Sequence, residues 1–115
     1  MDNPTQIDPE KSLEYIWRHS KAFAKAKAER IYLEEYRKSL KAVLMKRALS
    51  QGFEAVNAQE REAYADPEYK TLLEGLRTAV EAEEAIRWGL VAAEAAIEVW
   101  RSKEASARQE IKAAL

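Results

Sequence analysis

Residues 67–113 read PEYKTLLEGLRTAVEAEEAIRWGLVAAEAAIEVWRSKEASARQEIKA, and proline occurs there only at the first position. Steps taken alternately by three and four residues meet an apolar side chain almost every time. The positions met in this way are Leu72, Leu76, Ala79, Glu83, Ile86, Leu90, Ala93, Ile97, Trp100, Glu104, Ala107, Ile111 and Ala114. Only Glu83 and Glu104 interrupt the pattern. This repeat, called the seam below, is typical of long helices that pack side by side as coiled coils.

Two aspartate–proline pairs and one glycine mark the boundaries of the predicted helices. Asp8 before Pro9, and Asp66 before Pro67, each place a capping side chain ahead of a proline that suits the first helical position. The predicted segments are a loose tail at 1–7 and helices at 8–50, 53–65 and 67–113. The short segment is either a separate helix or a continuation of the first, because Gly52 either ends that helix or only kinks it.

The composition of the 115-residue chain predicts one all-α domain over residues 1–115. Hydrophobic residues make up 47% and charged residues 34%, a balance that excludes a disordered chain. No uncharged run approaches the roughly 18 residues of a membrane span, so no membrane partner is expected. No segment alternates with a strand's period of two. The expected architecture is therefore a long antiparallel helical hairpin or coiled coil, which completes a bundle by self-association.

A second apolar face lies opposite the seam on the predicted last helix. It consists of Trp88, Val91, Ala92, Ala95 and Val99. A helix that is apolar nearly all round is normally buried, and a pair of helices covers only one stripe of each. Either the 53–65 segment folds over this face, or another chain does. The favoured prediction is another chain, as a homo-oligomer with a dimer as the first guess, or a different protein that docks there.

Charge is divided unevenly along the chain. Residues 11–49 carry eleven basic and four acidic side chains, a net charge of +7, and residues 50–115 carry eight basic and thirteen acidic ones, a net charge of −5. A basic and an acidic helix lying side by side would neutralise each other. Alternatively, the basic helix binds nucleic-acid phosphates, with Tyr15, Trp17 and Tyr32 stacking on bases. The candidate phosphate-binding residues are Arg18, Lys21, Lys25, Arg37, Lys38 and Lys41.

The acidic half supports a third hypothesis, in which carboxylates imitate the phosphates of nucleic acid. The protein would then inhibit a host DNA-processing enzyme. The candidate residues are Glu60, Glu62, Asp66, Glu68, Glu74, Glu81, Glu83 and Glu84. The glutamates at seam positions have another reading, because a polar residue in a coiled-coil seam can set the register of the helices. They could also face outward where the bundle frays.

Residues that carry chemistry are scarce, so we expect no enzymatic activity, no cofactor and no small-molecule substrate. His19 is the only histidine, and isoleucine stands at position 16, where a Glu-x-x-His metal motif would need a glutamate. His19 is expected at the surface or in a helix contact. The chain has no cysteine, which excludes thiolate metal sites and disulfides.

Several stretches of the chain resemble small helical proteins of tailed bacteriophages and prophages. They are Glu14 to Trp17, Lys21 to Arg30 (KAFAKAKAER), Tyr32 to Lys38 (YLEEYRK) and Val99 to Ser102, and the similarity extends over about residues 10–108. This resemblance implies no catalytic residue. It implies an accessory role in phage or bacterial DNA recombination or replication. The combined expectation is a non-enzymatic helical interaction or assembly protein in the cytoplasm, which is that of the host if a phage encodes the chain.

Overall fold

A computed structural model describes residues 6–115 of the chain, and the first five residues of the predicted tail lie outside this range. Three helices follow one another: α1 (Pro9–Ser50), α2 (Val56–Ala65) and α3 (Pro67–Ala114). The described residues contain no strand. The long helices α1 and α3 pack against each other in opposite directions, so the predicted all-α helical hairpin is confirmed.

Aspartate side chains cap both long helices at their first turns. Asp8 accepts hydrogen bonds from the backbone N–H groups of Glu10, at 3.0 Å, and Lys11, at 3.3 Å. Asp66 accepts one from the N–H of Glu68, at 2.8 Å. Each cap satisfies backbone donors that have no partner inside the helix, and its charge suits the positive end of the helix dipole.

Gly52 ends α1 and does not merely kink it. Its φ of 105° lies in the region that favours glycine. The N–H of Phe53 donates to the carbonyl of Ala48 at 3.1 Å, and the N–H of Gly52 donates to the carbonyl of Leu49 at 3.1 Å. These two bonds form a Schellman motif, which closes a helix at a left-handed residue. Because Phe53 takes part in this closure, α2 begins only at Val56, three residues later than predicted.

The contacts divide the chain into two compact units, of which the second comprises Lys25–Glu83. All three helices contribute to its core, which contains Leu40, Leu44, Ala63, Tyr69 and Leu72. The short α2 enters this core through Ala63, and the ring of Tyr64 packs edge-on against that of Tyr69 with centroids 5.2 Å apart. The short helix therefore closes the turn between α1 and α3.

The first unit comprises residues up to Ala24 together with Glu84–Leu115. Within it, the Tyr15 ring stacks on that of His19 at 3.9 Å and packs against Gly89, where an added Cβ would lie 2.7 Å from Tyr15 Cζ. Glycine at position 89 therefore makes room for this ring. Burial along the seam ends at Ile97, and every residue from 98 to 115 is exposed. The last part of the seam thus has no covering helix within residues 6–115.

Candidate interaction surfaces

The apolar face predicted on α3 is exposed in the folded chain. Trp88 keeps 65% of its surface exposed, Val91 45% and Val99 46%. Ala92 and Ala95, which lie between them, are also exposed. The short helix that could have buried this face packs into the core around Leu40 and Leu44. The alternative in which residues 53–65 cover the face is therefore wrong, and these five residues are called the Trp88 face below.

The Trp88 face belongs to a longer strip on α3, which is uncharged from Trp88 to Ser106. With 3.6 residues per turn, the residues that share its direction are Glu84, Trp88, Val91, Ala95, Val99, Ser102 and Ser106. Glu84 stands at its start, and Lys103 lies beside its end. The positions repeat every eleven residues, since each step from 84 to 95 to 106, and from 88 to 99, turns the direction by only about 20°. A repeat of eleven residues matches the turn of a straight α-helix more closely than a repeat of seven residues does. The strip therefore runs almost parallel to the helix axis.

The seam glutamate at position 83 is the most buried large side chain among the described residues, with 1% of its surface exposed. Arg30 binds it with two nitrogens: Nε donates to one carboxylate oxygen, and Nη2 donates to the other at 3.1 Å. The Nη1 group of Arg30 donates to both oxygens of Glu34, at 3.0 and 3.1 Å. This network links α1 to α3 by charge-assisted bonds, which are stronger than neutral ones.

The network further favours the charged form of Arg30. The hydrogen bond to Glu83 and then that to Glu34 raise the pKa of the guanidinium above its usual range, because both bonds favour the protonated form. Glu83 is thus one of the polar seam residues that the sequence suggested as register-setting. Glu104, the other such residue, is exposed on the last part of α3. Sequence reasoning missed the role of Arg30, whose spacing of four residues from Glu34 was the available signal.

The six basic candidates for nucleic-acid binding differ in their surroundings. Arg18 pairs with Glu14 at 2.8 Å, and Lys38 pairs with Glu35 at 3.3 Å. Arg37 is half-buried. Lys21 and Lys25 are exposed and have no ion-pair partner within residues 6–115. These two lysines are therefore the members of the set whose charges are most available to an external phosphate.

Lys41, the sixth candidate, is held between α1 and α2. Its ammonium lies 3.2 Å from a carboxylate oxygen of Glu60 and 4.9 Å from the centre of the Tyr64 ring. Contact with Tyr64 and then with Glu60 raises the pKa of Lys41 above its usual value, so it stays charged at neutral pH. Its pairing contributes stability at neutral pH, and that contribution is lost only as the pH rises through the raised pKa.

The three aromatic candidates for base stacking are also separated by the structure. Trp17 keeps 78% of its surface exposed, and Tyr32 is exposed as well. Tyr15 is half-buried beside His19, whose Nδ1 lies 2.9 Å from the Tyr15 carbonyl oxygen and must carry the proton that it donates. His19 is thus half-buried, and the contacts of its ring are with Tyr15 of the same helix. Trp17 lies one helical turn from Lys21 on the same side of α1.

Most of the acidic candidates bind basic groups of the same chain. Arg47 lies 3.8 Å from a carboxylate oxygen of Asp66 and 3.2 Å from one of Glu68. Glu84 accepts a hydrogen bond from Arg87 at 3.1 Å, and Glu60 and Glu83 bind Lys41 and Arg30 as described above. Glu74 and Glu81 are exposed, and Glu62 is half-buried. An imitation of nucleic acid would need a continuous row of unpaired carboxylates. Because most of the acidic candidates are paired within the chain, few of them remain for such a row.

Comparison with protein-family models, with curated proteins and with solved structures finds no match to this chain. Among the described residues, no helix combines the length and the apolar character needed to cross a membrane. Residues 6–115 also hold no group of three or more histidine, aspartate or glutamate side chains placed to bind a metal ion.

Proposed function

We propose that this protein is a non-enzymatic helical interaction protein that assembles through the Trp88 face of α3. The observation that carries the proposal is the exposure of Trp88, Val91 and Val99 in a row on one helix. A cluster of large apolar side chains in water is unfavourable, and contiguous exposed apolar patches mark interaction sites. The resemblance to small phage proteins supports an accessory role in DNA recombination or replication for the assembled protein.

The main contacts that hold the hairpin together lie away from the Trp88 face. Its core around Leu44 and its ion network at Glu83 lie between the helices. The side chains of the Trp88 face add no comparable contact within the chain, because they remain exposed. Selection for stability of the folded chain alone does not explain an exposed tryptophan flanked by valines. Burial against a partner does explain it.

Replacing Trp88 with aspartate tests the proposal. We expect the variant to keep the helical circular-dichroism spectrum of the wild type, because Trp88 is 65% exposed in the chain. We expect sedimentation velocity to show loss of the assembled species, because a charge would have to be buried in the contact. Trp17→Asp is the matched control, since Trp17 is also an exposed tryptophan but lies on α1. Unchanged assembly of Trp88→Asp, or equal losses in both variants, would count against the proposal.

A second candidate function is nucleic-acid binding through α1. The specific observation is that Lys21 and Lys25 have no ion-pair partner within residues 6–115, with the exposed Trp17 nearby. The lysines would neutralise phosphates and release the counterions that the phosphates hold, and a base could stack on the indole ring. In that case, α1 would bind nucleic acid while α3 mediates assembly.

Fluorescence anisotropy with a labelled single-stranded oligonucleotide at two salt concentrations tests this second function. The expected result is an affinity that falls steeply with salt and is lost in the Lys21→Glu/Lys25→Glu variant. The control is Lys70→Glu/Lys112→Glu, which changes the net charge equally but lies on α3. Absence of binding at low salt, or an equal loss in both double variants, would eliminate a specific role for α1.

A further inference from the structure

We propose that the partner on the Trp88 face is a second copy of this chain, whose α3 lies antiparallel to the first across a two-fold axis. This inference rests on the function proposed above and adds the identity and direction of the partner. A two-fold contact uses the same patch on both copies, so the patch must complement itself. The sizes of the side chains along the strip, and the charges at its two ends, meet that condition.

The facing side chains complement each other in size when the two-fold axis is placed at the level of α3 that is midway between Ala93 and Glu94. Trp88 then lies opposite Val99 of the second copy, and Val99 opposite its Trp88. At the centre, Ala92 lies opposite Ala95 of the second copy. Small residues at the centre allow the two helices to approach closely, since the distance between packed helices depends on the side chains at their contact. The larger side chains then pack at both ends of the contact.

Charge complementarity follows from the same axis. Glu84 stands level with Lys103 of the second copy, and Lys103 stands level with its Glu84, so opposite charges meet at both ends of the strip. A parallel arrangement would instead bring Glu84 beside Glu84 and Lys103 beside Lys103. Like charges across an interface suppress pairing, and opposite charges fix direction. The charges at the ends of the strip therefore favour the antiparallel arrangement.

The length of the strip also suits a helix-to-helix contact. It extends from Glu84 to Ser106, which is roughly 33 Å at 1.5 Å per residue. Because its period is eleven residues, the strip stays on one side of the helix over this length. The second copy supplies a strip of the same length and straightness. The resulting pair of hairpins would form a bundle with the two α3 helices at its centre.

Distances between spin labels measure the direction of pairing directly. The chain has no cysteine, so Ala105→Cys and Ala85→Cys each provide one unique labelling site per chain. Both positions are exposed and lie beside the strip. In the antiparallel pair, the two positions lie roughly 35 Å and 26 Å from their counterparts, from the helical rise alone. In a parallel pair, each lies under about 20 Å from its counterpart, because the helix axes are 8–10 Å apart.

Three results of this electron-resonance experiment have distinct meanings. Separations of roughly 35 Å and 26 Å would support the inference. Short separations at both positions would overturn the antiparallel pairing and leave assembly through the Trp88 face standing. The absence of any distance between labels at high protein concentration would show a monomer, and both the inference and the self-assembly proposal would then be rejected.

Exchanging the two end charges provides an independent readout on the same dimer. Glu84→Lys and Lys103→Glu are each expected to weaken dimerisation roughly tenfold, because each change places two like-charge pairs across the contact. The double variant restores opposite charges across the contact and is expected to dimerise more tightly than either single variant, whereas the bond from Arg87 to Glu84 within each chain stays broken. The controls are Glu94→Lys and Lys112→Glu, which make the same changes of charge away from the strip. A double variant no tighter than the single ones would overturn the pairing of Glu84 with Lys103.

Discussion

Replacing Arg30 with alanine is expected to lower the melting temperature of the protein by on the order of 10 °C. Glu83 has 1% of its surface exposed, and the substitution removes the guanidinium that binds both of its carboxylate oxygens. A buried carboxylate that loses such a partner retains its desolvation penalty without the compensating bonds. Thermal unfolding followed by circular dichroism measures the change.

The double variant Arg30→Met/Glu83→Leu separates the effect of charge from that of packing. It removes both charges and fills the same space with apolar side chains, which often matches or exceeds the stability of a buried ion pair. We therefore expect it to melt near or above the wild type. Lys27→Ala is the surface control, because Lys27 is exposed on the same helix. An Arg30→Ala variant that melts like Lys27→Ala would contradict the structural role of the network.

Replacing Leu44 with alanine is expected to destabilise the fold by about 3 kcal/mol. Leu44 has 2% of its surface exposed and lies in the core that joins all three helices. The shorter side chain loses apolar contacts and leaves a cavity that the packed helices fill only in part. Urea unfolding at equilibrium gives the change in the free energy of unfolding.

Val43→Ala is the matched control for the core substitution. Val43 precedes Leu44 on α1 but keeps 54% of its surface exposed, so its replacement is expected to change the free energy of unfolding by less than about 0.5 kcal/mol. The contrast between adjacent residues tests the orientation of α1 directly. Similar losses in both variants would mean that α1 is rotated relative to the arrangement described here.

Local sequence signals were sufficient for the helical hairpin and for most helix boundaries. The caps at Asp8 and Asp66 act within three residues, so their effect can be read from the sequence. The choice between an ending and a kink at Gly52 could not be read in this way. It depends on whether the chain beyond the glycine turns back to pack, and that packing involves Ala63, eleven residues later.

The residue pairs that contact each other between α1 and α3 could not be predicted from the periodicity of the sequence. A seam shows which side of α3 is covered, but not which residue of α1 lies opposite each position. Arg30 and Glu83 are 53 residues apart in the chain, and only the register of the hairpin brings them together. The end of burial at Ile97 likewise depends on which part of α3 the first residues of α1 reach.

The Trp88 face was identifiable from the sequence because its position opposite the seam follows from helix geometry alone. Its exposure depended on where α2 packs, which the sequence left open. The sequence also did not predict which of the basic candidates have ion-pair partners. Lys41 binds Glu60 of another helix, whereas Lys21 has no such partner in the described range. The occupant proposed for the Trp88 face is a second molecule, so the pattern of one chain alone does not identify it.

The fluorescence of Trp88 at increasing protein concentration tests most directly whether a second copy covers its face. Trp17→Phe/Trp100→Phe leaves Trp88 as the only tryptophan of the three in the chain. We expect its emission to shift to the blue, and acrylamide to quench it less, as dimers of the 13.1 kDa chain form. Emission and quenching that stay those of an exposed indole at every concentration would contradict this expectation.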